Sequence, residues 1–246
     1  MVPPVNYADT YTEAFFLEAD GIEHWNKCKL KPGDALAAIG YAFGLTFEEL
    51  RAVVPFSDVG RVLEDDGLNA GVQISRVLAA KKRTPRGILE IGPGRGEVAV
   101  TLAHVGYPVQ VIEPSYGAFA WLNKTAFTFF NRSLKHMPLT LHNWPVHEVI
   151  DDVNWSAVDT VIMVESLEHI LAEDFAFMYQ KIRDHLRSIG GRFIVTNWID
   201  YHPLNVGDHA SSTVHCRLGD DALYDGWCKD AKGVFHRNGS HLVLDY

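Results

Sequence analysis

Cysteine is scarce in this chain, and the three present, Cys28, Cys216 and Cys228, stand far apart with no CxxC spacing. That pattern excludes a disulfide framework and a thiolate zinc knot, and it leads us to expect a reducing, cytoplasmic setting. Long apolar runs are missing as well. No window approaches the roughly 18 apolar residues of a membrane span, and the start, "MVPPVNYADT", has no basic stretch followed by an apolar one. We therefore expect neither an export signal nor an anchor. Nor is there an excess of positive charge: 22 Lys and Arg face 31 Asp and Glu, for a formal net charge of −9. General attraction to nucleic acid is disfavoured, although "AAKKRTPR" is a local basic stretch. A small-molecule partner is expected, a membrane or nucleic-acid partner is not, and the oligomeric state stays open, a homo-oligomer included. Internal repeats and low-complexity tracts are also lacking. What remains is an ordinary globular composition, 47% hydrophobic and 22% charged over 246 residues. This suffices for one large domain, or for a core domain with an extension.

The periodicity of the chain changes near residue 85. Before it, "GDALAAIGYAFGLTFEELRAVV" and "NAGVQISRVLAAKK" carry apolar residues at three- and four-residue spacing, which predicts helices. The basic, proline-containing stretch 81–86 reads as a connector. After it, short β-rich runs ("GILEI", "VQVIE", "LTLHN", "VDTVIMV", "RFIVTNW") alternate with helical ones ("EVAVTLAHV", "GAFAWLNKTAFTFF", "DFAFMYQKIRDHL"). That alternation predicts an α/β fold with a parallel, doubly wound sheet. Asn238-Gly239 between two strand-like runs predicts a terminal β-hairpin. The expected division is a helical cap over 1–85 and a core over 86–246.

"ILEIGPGRGEVAVTLA" follows an expected strand and opens an expected helix, the setting in which a glycine-rich turn can hold a ligand. Gly92, Gly94 and Gly96 allow a sharp turn and a close approach of backbone to ligand. The spacing is GxGxG with Glu97 at the sixth position, where dinucleotide loops need a small residue. Glu90 stands two residues before the first glycine, and Glu113 ends the next apolar run, where a carboxylate can accept both hydroxyls of a ribose. From about Gly87 to Trp198, this set resembles the class I S-adenosylmethionine-dependent methyltransferases. The resemblance implies a Rossmann-like, mostly parallel seven-stranded sheet and S-adenosylmethionine as cofactor. It also implies that Glu90 lies near the amino-acid part of the cofactor, the glycines near its methionyl and ribose parts, and Glu113 on the ribose. By the same resemblance the exit of the third strand contacts adenine. There Asn143 could bond the adenine amine and Trp144 could stack on the ring, a loop asparagine and a packed indole being the alternative.

A third feature is "VESLEHI", straight after the fourth expected strand. In a helix starting at about Glu165, positions i, i+3 and i+4 share a face, so Glu165, Glu168 and His169 would converge while Ser166 and Leu167 point elsewhere. Two carboxylates so close are easier to hold with a cation between them, and this donor set suits Mg²⁺, Mn²⁺, Fe²⁺ or Zn²⁺. The run resembles that of metal-dependent O-methyltransferases of the small-RNA 2′-O-methyltransferase and ubiquinone-pathway types. That resemblance implies a further histidine after the fifth strand, for which His209 is the first choice, His215 the second and His202 a third. The metal-free alternatives are helix-end acids that complement the helix dipole, with His169 as a general base.

The expected activity is methyl transfer to a small polar metabolite, with oxygen favoured as acceptor and a metal as a conceivable assistant; Glu165 and His169 are the expected catalytic residues. The rivals are an RNA 3′-terminal 2′-O-methyltransferase, an enzyme that consumes S-adenosylmethionine without methylating, and a non-catalytic cofactor-binding subunit. The helices before residue 85 are expected to cover cofactor and acceptor, with Tyr11, Phe15, Phe16, Trp25 and Tyr41 either walling the pocket or packing between helices.

Overall fold

The computed structural model describes residues 32–54, 67–114, 117–164, 166–167, 170, 172–196, 235–238 and 241–246. Before the sheet come α1 (Pro32–Ala42), α2 (Phe47–Val53) and α3 (Gly67–Ala80). The helical run expected over 33–54 is therefore broken in two. Gly44, at φ +80°, takes a left-handed conformation that ends α1. Thr46 then starts α2 with a capping box: its hydroxyl accepts from the Glu49 N–H, and its own N–H donates to the Glu49 carboxylate.

From residue 88 the chain alternates as the periodicity predicts. It runs β1 (Ile88–Ile91), α4 (Glu97–His104), β2 (Val109–Ile112), α5 (Ala118–Phe130), β3 (Leu139–His142), α6 (Val146–Val149) and β4 (Thr160–Val164). It ends with α7 (Ala172–Ile189), β5 (Arg192–Thr196), β6 (Phe235–Asn238) and β7 (His241–Asp245). Among the described residues these strands form one sheet in the order β3-β2-β1-β4-β5-β7-β6. Pairing is parallel from β3 through β5 and antiparallel for β7 against β5 and β6. The mostly parallel, doubly wound sheet is thus present, and so is the terminal hairpin. Asn238 lies in its ladder, opposite His241, rather than in the turn.

Side chains alternate between the two faces, and each face has its own core. Ile88, Val111, Ile162, Val164, Ile194 and Val243 pack with α1, α4 and α5 on one side. Leu89, Ile91, Met163, Phe193 and Leu244 pack with α6 and α7 on the other. Strands covered on both faces explain why the sequence shows near-continuous apolar runs there.

Residues of α1 and α2 share a hydrophobic cluster with the sheet. The described part of the segment expected as a cap is therefore packed on the core. The carbonyl of Tyr41, near the end of α1, accepts from Arg192 Nη1 (2.6 Å) at the first residue of β5. So the end of α1 lies beside the start of β5, at the amino edge of the sheet. Tyr41 is fully packed (3% exposed) near that edge, so of its two expected roles the structure favours packing. Tyr11, Phe15, Phe16 and Trp25 lie outside the described residues.

Candidate functional site

Strand order reverses between β1 and β4, and that crevice at the carboxyl edge is where open α/β sheets bind ligands. The glycine loop sits there. Gly92 N–H donates to Ile112 O (2.9 Å) and Gly96 N–H closes a turn onto Pro93 O (2.8 Å) before α4 begins. All three glycines have positive φ, at +66°, +53° and +79°, but their surroundings differ. A Cβ on Gly92 would lie 2.6 Å from Ser166 Cβ, and one on Gly96 would lie 2.0 Å from Leu122 Cδ2 on α5. A Cβ on Gly94 would meet nothing within 4 Å. Gly92 and Gly96 therefore let neighbouring elements close in, while Gly94 borders open space that a ligand can approach.

Three carboxylates surround this loop. Glu90 points to the α4 side of the sheet and is 1% exposed. One of its oxygens accepts the N–H of Ala99 in the first turn of α4, a capping role that Gly96, without a side chain, cannot fill. Its Oε2 is buried and has no hydrogen-bond partner, as is true of Glu97 Oε2. Burial above all, then the charges of Glu97 and Glu113, push the Glu90 carboxyl up to about 8. Glu97 is 2% exposed and paired through its other oxygen with Arg95. The small sixth residue of a dinucleotide loop is thus replaced by a buried acid. The Arg95 carbonyl accepts from Thr125 Oγ1 (2.6 Å), which ties the loop to α5.

Glu113 lies one residue past β2, is 6% exposed, and donates its N–H to His142 O (3.1 Å) at the tip of β3. Asn143 Nδ2 donates to the Glu113 carbonyl (2.7 Å). The Asn143 amide nitrogen thus steadies Glu113, while the expected bond from the adenine amine would go to the other end of the side chain, its Oδ1. Trp144 is 54% exposed, so the packed alternative fails and its ring is open to a stacking partner. At the end of β5, opposite Val164, Thr196 Oγ1 is a third buried polar atom with no partner.

Of "VESLEHI", Ser166, Leu167 and Ile170 are described beyond the strand; Glu165, Glu168 and His169 lie outside the described residues, as do His202, His209 and His215. The helix expected from about Glu165 is not there at the described positions. Ile170 N–H reaches back three residues to Leu167 O (3.1 Å), and the α-helix begins at Ala172. The reason is local: Leu167 (1% exposed) is drawn into the core under the sheet, and Ser166 Oγ donates to Ile91 O (2.8 Å). These two side chains, expected to point away, are what anchor the turn. Among the described residues no group of three or more His, Cys, Asp or Glu side chains is placed to hold a metal, and no helix is long and apolar enough to cross a membrane.

Sequence reasoning missed Ser166, Glu97 and Thr196. A small hydroxyl residue directly after a core strand, opposite a glycine, was the available signal for Ser166, but it becomes readable only once β1 and β4 are known to be neighbours.

No protein-family model matches the chain, and no curated protein does. Solved structures do. The plantazolicin methyltransferase BamL, in complex with a triazolic desmethylPZN analog and SAH, is 13% identical, over 94% of this chain and 76% of that one, with a TM-score of 0.52. Magnesium protoporphyrin IX methyltransferase (ChlM) from Synechocystis PCC 6803, with bound SAH, is 16% identical over 95% of this chain and 96% of that one, with a TM-score of 0.48. At such identities a likeness carries the fold alone, and by its likeness to BamL this chain has the α/β Rossmann-like fold of the S-adenosylmethionine-dependent methyltransferases.

Proposed function

We propose that the protein is an S-adenosylmethionine-dependent methyltransferase acting on a small polar metabolite, with oxygen as the acceptor atom. The observation that carries this reading is the glycine loop at the β1–β4 crevice, open over Gly94 and flanked by the buried acids Glu90 and Glu113. These residues fit the cofactor. Glu113, steadied by Asn143, would accept the ribose hydroxyls, Trp144 would stack on the adenine, and Glu90, whose Oε2 has no partner within the chain, would lie near the amino-acid part of the cofactor. When bound, S-adenosylmethionine supplies a methyl group on a positively charged sulfur, open to in-line displacement. The chain's task is then to orient the acceptor and take its proton.

For that task the reading assigns the segment after β4. His169 is the base, or it joins Glu165, Glu168 and His209, with His215 as alternative to the last, in holding a divalent ion that lowers the acceptor's pKa. The donor types support either role.

Calorimetric titration of the full chain with S-adenosylhomocysteine tests the cofactor assignment. Binding at one site, weakened at least about tenfold in Glu113→Ala by loss of two hydrogen bonds to the ribose, is expected. No heat of binding would remove the reading. Chelation, Glu168→Ala and His209→Ala should each depress turnover if the ion is held. Turnover untouched by all three rejects the ion, and loss on His169→Ala alone assigns the base.

A further inference from the structure

Pairing between β1 and β4 stops at Glu90 opposite Ile162. One residue on, the Ile91 carbonyl has passed the last registered pair with β4, while the peptide it belongs to donates the Gly92 N–H to Ile112 O in β2. Ser166 Oγ takes up that carbonyl at 2.8 Å, and Ser166 is itself only 7% exposed. The peptide between Ile91 and Gly92 is thus held from both sides: its N–H by β2, its carbonyl by the turn after β4. The two segments also approach so closely that any Cβ on Gly92 would collide with Ser166 Cβ at 2.6 Å. A buried carbonyl at this point needs a donor, since leaving it unpaired is costly, and a peptide fixed at both ends sets the entry angle of the loop.

We propose that Ser166 is a positioning residue: by binding the Ile91 carbonyl, it locks the glycine loop to the exit of β4, so that the cofactor's seat keeps one geometry at the crevice. This rests on the reading of the loop as a cofactor seat. Its consequence is that the hydroxyl of Ser166, engaged with the Ile91 carbonyl, controls how tightly the cofactor is held. Without it the loop samples other entry angles, and only a fraction of molecules present the competent one.

The test is calorimetry with S-adenosylhomocysteine on the full chain, with thermal unfolding measured in parallel. Ser166→Ala should bind about tenfold more weakly, the effect of one lost buried hydrogen bond. Ile182→Val, in the buried face of α7, serves as a control that destabilises the chain without touching the crevice, and should bind as the wild type does. Ser166→Thr, which restores a hydroxyl, should recover most of the affinity. Wild-type affinity in Ser166→Ala overturns the proposal. So does an equal loss in Ser166→Ala and Ile182→Val, which would make the effect one of general stability. Should Ser166→Ala not fold, Ser166→Cys, with a weaker donor of similar shape, should bind with intermediate affinity, and wild-type affinity there overturns the proposal equally. If the wild type binds no S-adenosylhomocysteine, the cofactor reading falls, an outcome distinct from loss of the Ser166 effect alone.

Discussion

The two edges of the sheet treat buried charge in opposite ways. At the amino edge, Asp159 before β4 accepts from the Arg86 N–H (3.1 Å) and the Thr160 hydroxyl (2.9 Å) and is paired with Arg83 at 3.2 Å. Arg192 at the start of β5 is bidentate to Asp245 and also reaches the Tyr41 carbonyl. At the carboxyl edge, Glu90 Oε2, Glu97 Oε2 and Thr196 Oγ1 are buried with no partner. His104 Nδ1 at the end of α4 is a further such atom, but the two buried carboxylate oxygens without a partner, on Glu90 and Glu97, both lie at the carboxyl edge. Unsatisfied buried groups cost stability, and they persist where a ligand makes use of them.

If that contrast holds, the largest loss of stability comes from the amino edge. Asp159→Ala removes the carboxylate that pairs with Arg83 and accepts from Arg86 and Thr160, leaves Arg83 its bond to the residue-159 carbonyl, and should cost about 3 kcal/mol in urea unfolding. It should leave the affinity for S-adenosylhomocysteine in the folded fraction unchanged. Loss of affinity in step with stability would break the comparison.

At the carboxyl edge the sign reverses. The Glu90 carboxyl is raised from 4.5 to about 8 in the folded chain, so between these values the folded state keeps a proton that the unfolded state has lost. Stability must then fall as pH rises from about 4.5 to about 8, with the loss complete above that window. Glu90→Gln keeps an acceptor for Ala99 and removes the charge. It should match the wild type near pH 5 and exceed it at pH 8 to 9 by on the order of 3 kcal/mol, while binding the cofactor less tightly. Melting temperature against pH for the two proteins checks this, and parallel curves would refute it.

Two glycine substitutions sharpen the contrast further. Gly96→Ala drives a Cβ into Leu122 at φ +79° and should cost roughly 2 kcal/mol of stability. Gly94→Ala meets no neighbour and pays only for its left-handed backbone, about 1 kcal/mol. Yet it narrows the open space and should weaken S-adenosylhomocysteine about tenfold. Unfolding and binding measured on both variants should therefore rank them in opposite orders relative to their steric clash.

Much of this was legible before any coordinates. Short apolar runs gave β1, β2, β4 and β5, which are buried on both faces, while β3, at the sheet edge and only half-buried, showed as an alternating run. The loop and its flanking acids followed from residue types at fixed spacing. Other features were hidden for a physical reason: they depend on what lies next to what. Gly44 breaks a helical pattern that periodicity alone carries through. Asn143 reads as a ligand contact, and its bond to the Glu113 carbonyl shows only once β2 and β3 lie side by side. Leu167 and Ser166 look like the idle members of "VESLEHI" until the sheet order brings β4 against β1, at which point they become its anchors.

The central claim is that the unsatisfied carboxyl edge is the cofactor's seat, and amide hydrogen exchange with and without S-adenosylhomocysteine tests it most directly. The account predicts added protection over the loop 90–97 and around Glu113 and Asn143, with no change near Asp159 or Arg192. Binding accompanied by protection at the amino edge, or by none at the loop, would contradict it.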